Sequence, residues 1–364
     1  MVKRLSLVAF AVLAAGNANA MQIIKDAKND VQVTGMAYAG HYFGDSKDSE
    51  AYGSSTFARF GAKGQTEINE QLSAVGTYEA QLKLNDADSE QKKDSIKVGD
   101  EVYEGSAANG TNVRTRYIFG GVDAKDIGLF TFGRQNGAAF ATVGNWSDVA
   151  LTDGYSSNAL GTGPDMFGTQ RGSDILKYTG VFGPATVAAS HKFTTARDTS
   201  TEDKDNSAST LAASYEVVKN FSLGAAYTEG NRGDENVDLW LAGAKYDDKA
   251  LYAAVVYANG TDFLKSGVDH TAYETALGYT FVNGITLMTT WEKQRVEQNG
   301  TKKDGYNAYT FGAKYAFTKA LSVAAEYRVN NRDKEDYGAF TEYGAGVTKV
   351  DSGDDFQLAV KYLF

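Results

Sequence analysis

Phe356-Gln357-Leu358-Ala359-Val360-Lys361-Tyr362-Leu363-Phe364 sorts into two sets of residues. Alternate positions read Phe, Leu, Val, Tyr and Phe, and the others Gln, Ala, Lys and Leu. Successive side chains of a strand point to opposite faces, so one face is apolar and aromatic and the other polar or small. A run of ~9 residues with this pattern suits a tilted membrane strand, one face in lipid and one toward a lumen. A half-buried strand of a soluble sandwich alternates just as well, so this stretch alone leaves both open.

Recurrence decides between them. Tyr273, Leu277, Tyr279 and Phe281 share a face opposite Glu274, Ala276, Gly278 and Thr280. Tyr309, Phe311, Ala313, Tyr315 and Phe317 lie opposite Thr310, Gly312, Lys314 and Ala316, and Trp240, Ala242, Ala244 and Tyr246 opposite Leu241, Gly243 and Lys245. A solvent-filled lumen tolerates Glu274 and Lys314; a dry sandwich core does not. Aromatics recur near short turns (Tyr246 and Tyr252, Tyr279 and Phe281, Tyr315 and Phe317), as an interfacial girdle requires. The final Phe364 after alternating hydrophobics also resembles the signal read by the barrel-assembly machinery.

The connections alternate in length. Short turns fall at 69–71, 124–127, 182–184, 218–220, 247–249, 282–284 and 318–319. Longer polar segments fall at 85–110, 195–206, 229–236, 260–269, 297–304 and 331–354. Short turns on one side and long loops on the other are the pattern of a membrane barrel. About sixteen strands follow, near 31–43, 56–67, 72–84, 112–122, 128–136, 174–181, 185–194, 207–216, 221–228, 237–246, 250–259, 271–281, 285–295, 306–317, 321–330 and 355–364. The expected fold is all-β, a closed antiparallel transmembrane barrel forming one domain over 21–364.

Residues 1–20 read separately. Lys3 and Arg4, the apolar run Leu5 to Ala15, and Ala18-Asn19-Ala20 make a secretory signal peptide cleaved before Met21. Without it the chain carries 34 basic against 46 acidic side chains, a net charge of about −12. That balance argues against a nucleic-acid partner, which rewards clustered Lys and Arg. Zero cysteines exclude a disulfide scaffold and thiol chemistry. The three histidines, His41, His191 and His270, form no metal-spaced pair, and there is no Gly-x-Ser-x-Gly elbow, so no enzyme and no cofactor is expected.

One connection breaks the pattern. From Asn136 to Arg171 the chain is long but poor in charge, and it carries Phe140, Val143, Trp146, Val149 and Leu151. A segment standing in water has no use for these side chains. One that folds back onto the inner barrel wall must bury a face, and long connections in compact domains are usually functional. The expectation is an inward-folded third external loop that narrows the lumen; a surface loop with its own small apolar cluster is the alternative.

Met21 to Phe43, with Gly35-Met36-Ala37 and His41-Tyr42-Phe43, resembles the trimeric general diffusion porins of Gram-negative outer membranes. So do Ala58 to Thr66, Gly128 to Gly137 with Phe132-Gly133-Arg134, Trp240 to Tyr257, Phe311 to Asn330 and Phe364. The resemblance implies a homotrimer in contact with outer-membrane lipid and lipopolysaccharide, passing ions and small hydrophilic solutes. It also implies a constriction where loop carboxylates face a ladder of arginines. Carried over by position, the ladder is Arg59, Arg116 and Arg171, the loop acids are Asp148 and Asp153, and Glu79 is a wall acid. Opposed charges set up a transverse field that orients polar solutes and penalises apolar ones. Two departures stand out: Met36 occupies a basic position of the family, and Leu151-Thr152-Asp153-Gly154 replaces its usual Pro-Glu-Phe-Gly-Gly run. With the acidic net charge, the lost rung points to a mild cation preference. A sugar-specific porin with Trp146, Tyr155 and Phe167 as a stacking track remains the alternative, and a non-conducting adhesive barrel a more remote one.

Overall fold

The computed structural model describes residues 20–44, 53–83, 93–98, 101–106, 113–152, 160, 167–194, 206–331 and 354–364. The signal-peptide expectation for 1–20 therefore lies almost wholly outside the described residues.

Sixteen strands follow one another around a ring. They are β1 Asn29–Gly44, β2 Phe57–Glu67, β3 Leu72–Lys83, β4 Val113–Ala124, β5 Gly128–Asn136, β6 Arg171–Phe182, β7 Ala185–Lys192 and β8 Ser207–Val218. The second half is β9 Phe221–Arg232, β10 Glu235–Asp247, β11 Leu251–Lys265, β12 Val268–Thr280, β13 Ile285–Gln298, β14 Thr301–Ala316, β15 Leu321–Asn330 and β16 Asp355–Leu363. Each pairs antiparallel with its neighbours, and β16 returns to β1 in register from Met36↔Leu363 to Gly44↔Asp355. Closure pairs the first strand of this sheet with the last, which is what a sheet needs in lipid, where no water satisfies free N–H and C=O groups. A short strand, Met21–Lys25, continues along the same edge of β1, beside the mutual hydrogen bonds of Gly35 and Phe364.

The two faces follow the alternation read in the sequence. Phe356, Leu358, Val360, Tyr362 and Phe364 are exposed, whereas Gln357 and Ala359 are buried. Trp240, Tyr273, Leu277, Tyr279, Phe311 and Tyr315 are likewise exposed, and Leu241, Glu274 and Ala276 buried. An exposed apolar exterior over a polar-containing interior is inverted relative to a soluble barrel and suits a lipid surround.

Two expectations need correction. Segments 229–236, 260–269 and 297–304 are not long loops. The strands run on to Arg232↔Glu235, Lys265↔Val268 and Gln298↔Thr301, leaving two-residue hairpins. Asn299 and Gly300 both have positive φ (50° and 75°), the backbone that matches strand twist in such a turn. Polar composition there reports strands that outrun the apolar band, with pairs such as Lys302–Glu297 (3.2 Å) across them, not absence of pairing. Most of 85–110, 195–206 and 331–354 lies outside the described residues, although Lys93–Val98 pairs with Glu101–Ser106 in the first of these. The second correction is Tyr252. Counting by twos from exposed Val255 puts it on the inner face, where its hydroxyl donates to the Trp146 carbonyl (2.7 Å), so it is no girdle residue.

Candidate functional site

The segment between β5 and β6 is built to lie on the sheet. Its root is pinned by Gly137 N–H to Gln170 O (2.7 Å), Phe140 N–H to Thr169 O (3.0 Å) and Lys177 Nζ to Asn136 O (2.7 Å). A short helix, α1 Ala138–Thr142, starts there, and its Ala138 N–H donates to Ser190 Oγ (3.0 Å). Ala138, Ala139, Val143, Trp146, Leu160 and Phe167 then join one buried cluster with Leu239, Leu241, Val256, Ala258 and Ala272. Those strand residues alternate with exposed Trp240, Val255 and Tyr273, so the segment covers the face opposite the apolar exterior.

Glycines make room for it. A Cβ at Gly224 would stand 2.7 Å from the Trp146 ring, and one at Gly243 would stand 3.1 Å from Val143. The two glycines are register partners, so together they form a flat seat across β9 and β10. Gly312 does the same for Leu151, at 3.0 Å.

Polar tethers hold the far end. Glu274 accepts from Ser147 Oγ (2.5 Å) and Leu160 N–H (3.1 Å). Glu326 accepts from Leu151 N–H (2.7 Å), Thr152 N–H (3.0 Å) and the Thr152 hydroxyl, which also lies against Gln357. Buried carboxylates are costly unless satisfied in this way. Lys245 Nζ sits 5.3 Å from the Trp146 ring centre, a cation–π contact from the wall to the segment.

Of the residues singled out in the sequence, four come together on β2–β4 and the start of β6. Arg116 Nε donates to Glu79 Oε1 at 2.6 Å, while Arg59 Nε donates to Gln81 Oε1 at 2.9 Å. Gln81 also accepts from Arg116 Nη1 (3.4 Å), which joins the two arginines through one amide. Arg171 and Arg116 both lie over the Tyr117 ring, 5.6 and 5.8 Å from its centre; Arg114 is close enough to repel both, and Arg134 to repel Arg171. This patch is thus more crowded with positive charge than the three arginines read from the sequence. Met36 is the register partner of Arg59 and is buried against Tyr38 and Phe57, so an apolar contact stands beside that arginine.

Asp148 belongs to a different neighbourhood. It lies in electrostatic reach of Glu292, as do Glu274, Glu326 and Arg328, and Glu292 faces Glu274 directly in register. Asp153 and Tyr155 lie outside the described residues. Trp146 and Phe167 are buried, Phe167 against Phe263 with ring centres 5.0 Å apart, so they anchor the segment and offer no stacking surface.

The tethering residues Ser147, Thr152, Glu326 and Gln357 and the glycine seat were not singled out in the sequence. The available signal was parity: Glu274, Glu292 and Glu326 fall at inner positions of otherwise ordinary strands.

The family model for the Gram-negative porins matches residues 6–362. The outer membrane porin protein OmpD of Salmonella typhimurium is 30% identical, covering 92% of this chain and 94% of its own length. The Serratia marcescens outer membrane protein F is 28% identical, with 93% and 95% covered. Among solved structures, Salmonella typhi OmpF in complex with daunomycin matches with a TM-score of 0.79 at 22% identity, covering 94% of this chain and 100% of that one. The trimer form of Vibrio cholerae OmpT matches with a TM-score of 0.63 at 19% identity, covering 93% and 100%. With its closed sixteen-stranded sheet and apolar exterior, the chain is a member of the Gram-negative porin family, an outer-membrane channel protein and not an enzyme.

Proposed function

We propose that this porin is a general diffusion pore whose lumen is narrowed by residues 137–170, and that ions and small hydrophilic solutes pass it passively with a mild preference for cations. The observation that carries this reading is the tethering of Leu151, Thr152, Ser147 and Leu160 to Glu326 and Glu274, which lie at inner strand positions. A segment held there takes up lumen cross-section. Arg59, Arg116 and Arg171, with Glu79, form the positive wall, and Asp148 with Asp153 the negative loop side; a field between them orients dipolar solutes. Cation preference is supported by the acidic excess of the chain and by Met36 in place of a basic rung. Burial of Trp146 and Phe167 counts against the sugar-specific alternative.

Three further points belong to the same reading. Residues 1–20 are removed on export. The protein assembles as a homotrimer in outer-membrane lipid and lipopolysaccharide, with exposed Ala37 and Ala39 on β1 allowing close approach of barrels. It needs no cofactor.

Reversal potentials in a salt gradient across planar bilayers test selectivity. Wild type should favour potassium over chloride, Asp148→Asn should move the potential toward anions, and Arg59→Ala should move it toward cations with a rise in conductance. The preference should fade as salt rises, because the Debye length falls from ~10 Å at 0.1 M to ~3 Å at 1 M. If both variants kept the wild-type potential, the constriction would have to be placed elsewhere.

A further inference from the structure

Arg59 is held by two contacts of different kinds. Its Nε donates to Gln81 Oε1 (2.9 Å), and its guanidinium carbon stands 4.6 Å from the centre of the Phe57 ring, two residues back on the same face of β2. That ring is itself supported. Tyr38, the register partner of Phe57 on β1, stacks on it with centres 4.7 Å apart and planes 21° from parallel. Gly40, the next residue on that face of β1, leaves the space the Tyr38 ring needs: a Cβ there would stand 2.8 Å from the ring. The Tyr38 hydroxyl accepts from Gln357 Nε2 (3.0 Å). The same amide nitrogen donates to Ser55 Oγ (3.1 Å), and Gln357 Oε1 lies against the Thr152 hydroxyl of the tethered segment. Tyr38, Phe57 and Gln357 are all buried, so they shape the wall from behind its surface.

A guanidinium is planar and lies well on a flat ring, so the place of the ring decides the place of the charge. Phe57 keeps its place only while Tyr38 fills the space behind it, because side chains lose their contacts across a void and move to recover them. Met36 packs into the same cluster, so the support under Arg59 comes from apolar side chains of β1. The position of a charge matters in a narrow lumen, where the potential it sets up falls with distance. We infer that Tyr38 is a positioning residue for Arg59: its ring, fixed at the hydroxyl by Gln357, holds the Phe57 platform and so sets where the Arg59 charge stands. Gln357 also meets Thr152, so the tip of the segment and the platform under Arg59 rest on one amide.

The inference rests on Arg59 belonging to the positive wall of the pore, and two readouts separate the two claims. The first needs no conduction. Detergent-solubilised protein with a β-rich circular dichroism spectrum is treated with phenylglyoxal, and modification of Arg59 is followed by mass spectrometry, with exposed Arg295 on β13 as the control. Arg59 should react severalfold faster in Tyr38→Leu than in wild type, with Arg295 unchanged. Tyr38→Phe keeps the ring and should stay close to wild type. If Tyr38→Leu does not fold, Tyr38→Met, which fills the space without a flat ring, takes its place. Equal Arg59 rates in wild type and Tyr38→Leu overturn the inference, and so does a Tyr38→Phe that reacts as fast as Tyr38→Leu. The second readout is the reversal potential in a salt gradient. Tyr38→Leu should move it toward cations by less than Arg59→Ala does, and the double variant should match Arg59→Ala alone, because both changes act on one charge. Shifts that simply add overturn the inference. An Arg59→Ala channel with the wild-type potential contradicts the positive wall, and the labelling rates then decide the positioning by themselves.

Discussion

Gly224 and Gly243 show how a single absent methyl group makes room for the Trp146 and Val143 side chains. Each sits at an inner strand position where any side chain would meet Trp146 or Val143, so the sheet is flat where the segment lands. Neither has an unusual φ, so their role is space and not backbone freedom. Replacing Gly243 by Leu should overpack the seat at a cost of ~1–3 kcal/mol, which the segment can relieve by lifting off. The expected result is a folded barrel with altered conductance and faster cleavage within 137–170 by added protease; an unchanged conductance and cleavage pattern would contradict the seat. At this scale the sequence was partly legible. Arg59, Glu79, Arg116 and Arg171 came from position in a resembling family and do cluster in space. Ser147, Thr152 and Gln357 were not legible, because a hydroxyl or amide acquires meaning only when folding sets a partner from 100 or more residues away beside it.

Among elements, the strands were the most legible. Period-two alternation with lipid on one side constrains every second residue, and all sixteen lie where that pattern placed them. The ends were less so, since β9–β14 outrun the apolar band and lose the contrast between faces that marks a strand. Phe140, Val143, Trp146 and Leu151 mark the segment between β5 and β6 as one that buries a face, and they are buried; its fastening left no such mark. Glu326 carries that fastening. Hydrogen bonds to a charged group contribute ~1.5–3 kcal/mol each, so Glu326→Ala, which strips the acceptor from Leu151 and Thr152, should free the segment's tip while the root at Gly137 and Phe140 holds. Single-channel records of this variant should show a larger and noisier open current than wild type. A quiet channel of wild-type conductance would mean that apolar packing alone fixes the tip.

At the scale of the whole molecule, the sheet is closed, its exterior is apolar and its interior carries charges of both signs, some of them paired, as Arg116 is with Glu79. Arginines gather on β4–β6, carboxylates where the segment is tethered, and lysines beyond it. Detergent-solubilised protein should give a circular dichroism spectrum dominated by β-structure, and crosslinking should trap trimers. A helical spectrum would contradict the barrel, and monomers alone would contradict the assembly.

On the proposed function, residues 137–170 lie in the path of permeating ions. The chain has no cysteine, so a single introduced thiol reports without background. Asp148→Cys channels in planar bilayers, treated with a bulky charged methanethiosulfonate reagent, should show stepwise loss of conductance as each thiol is modified. Full labelling confirmed by mass spectrometry, with conductance unchanged, would place the segment outside the ion path.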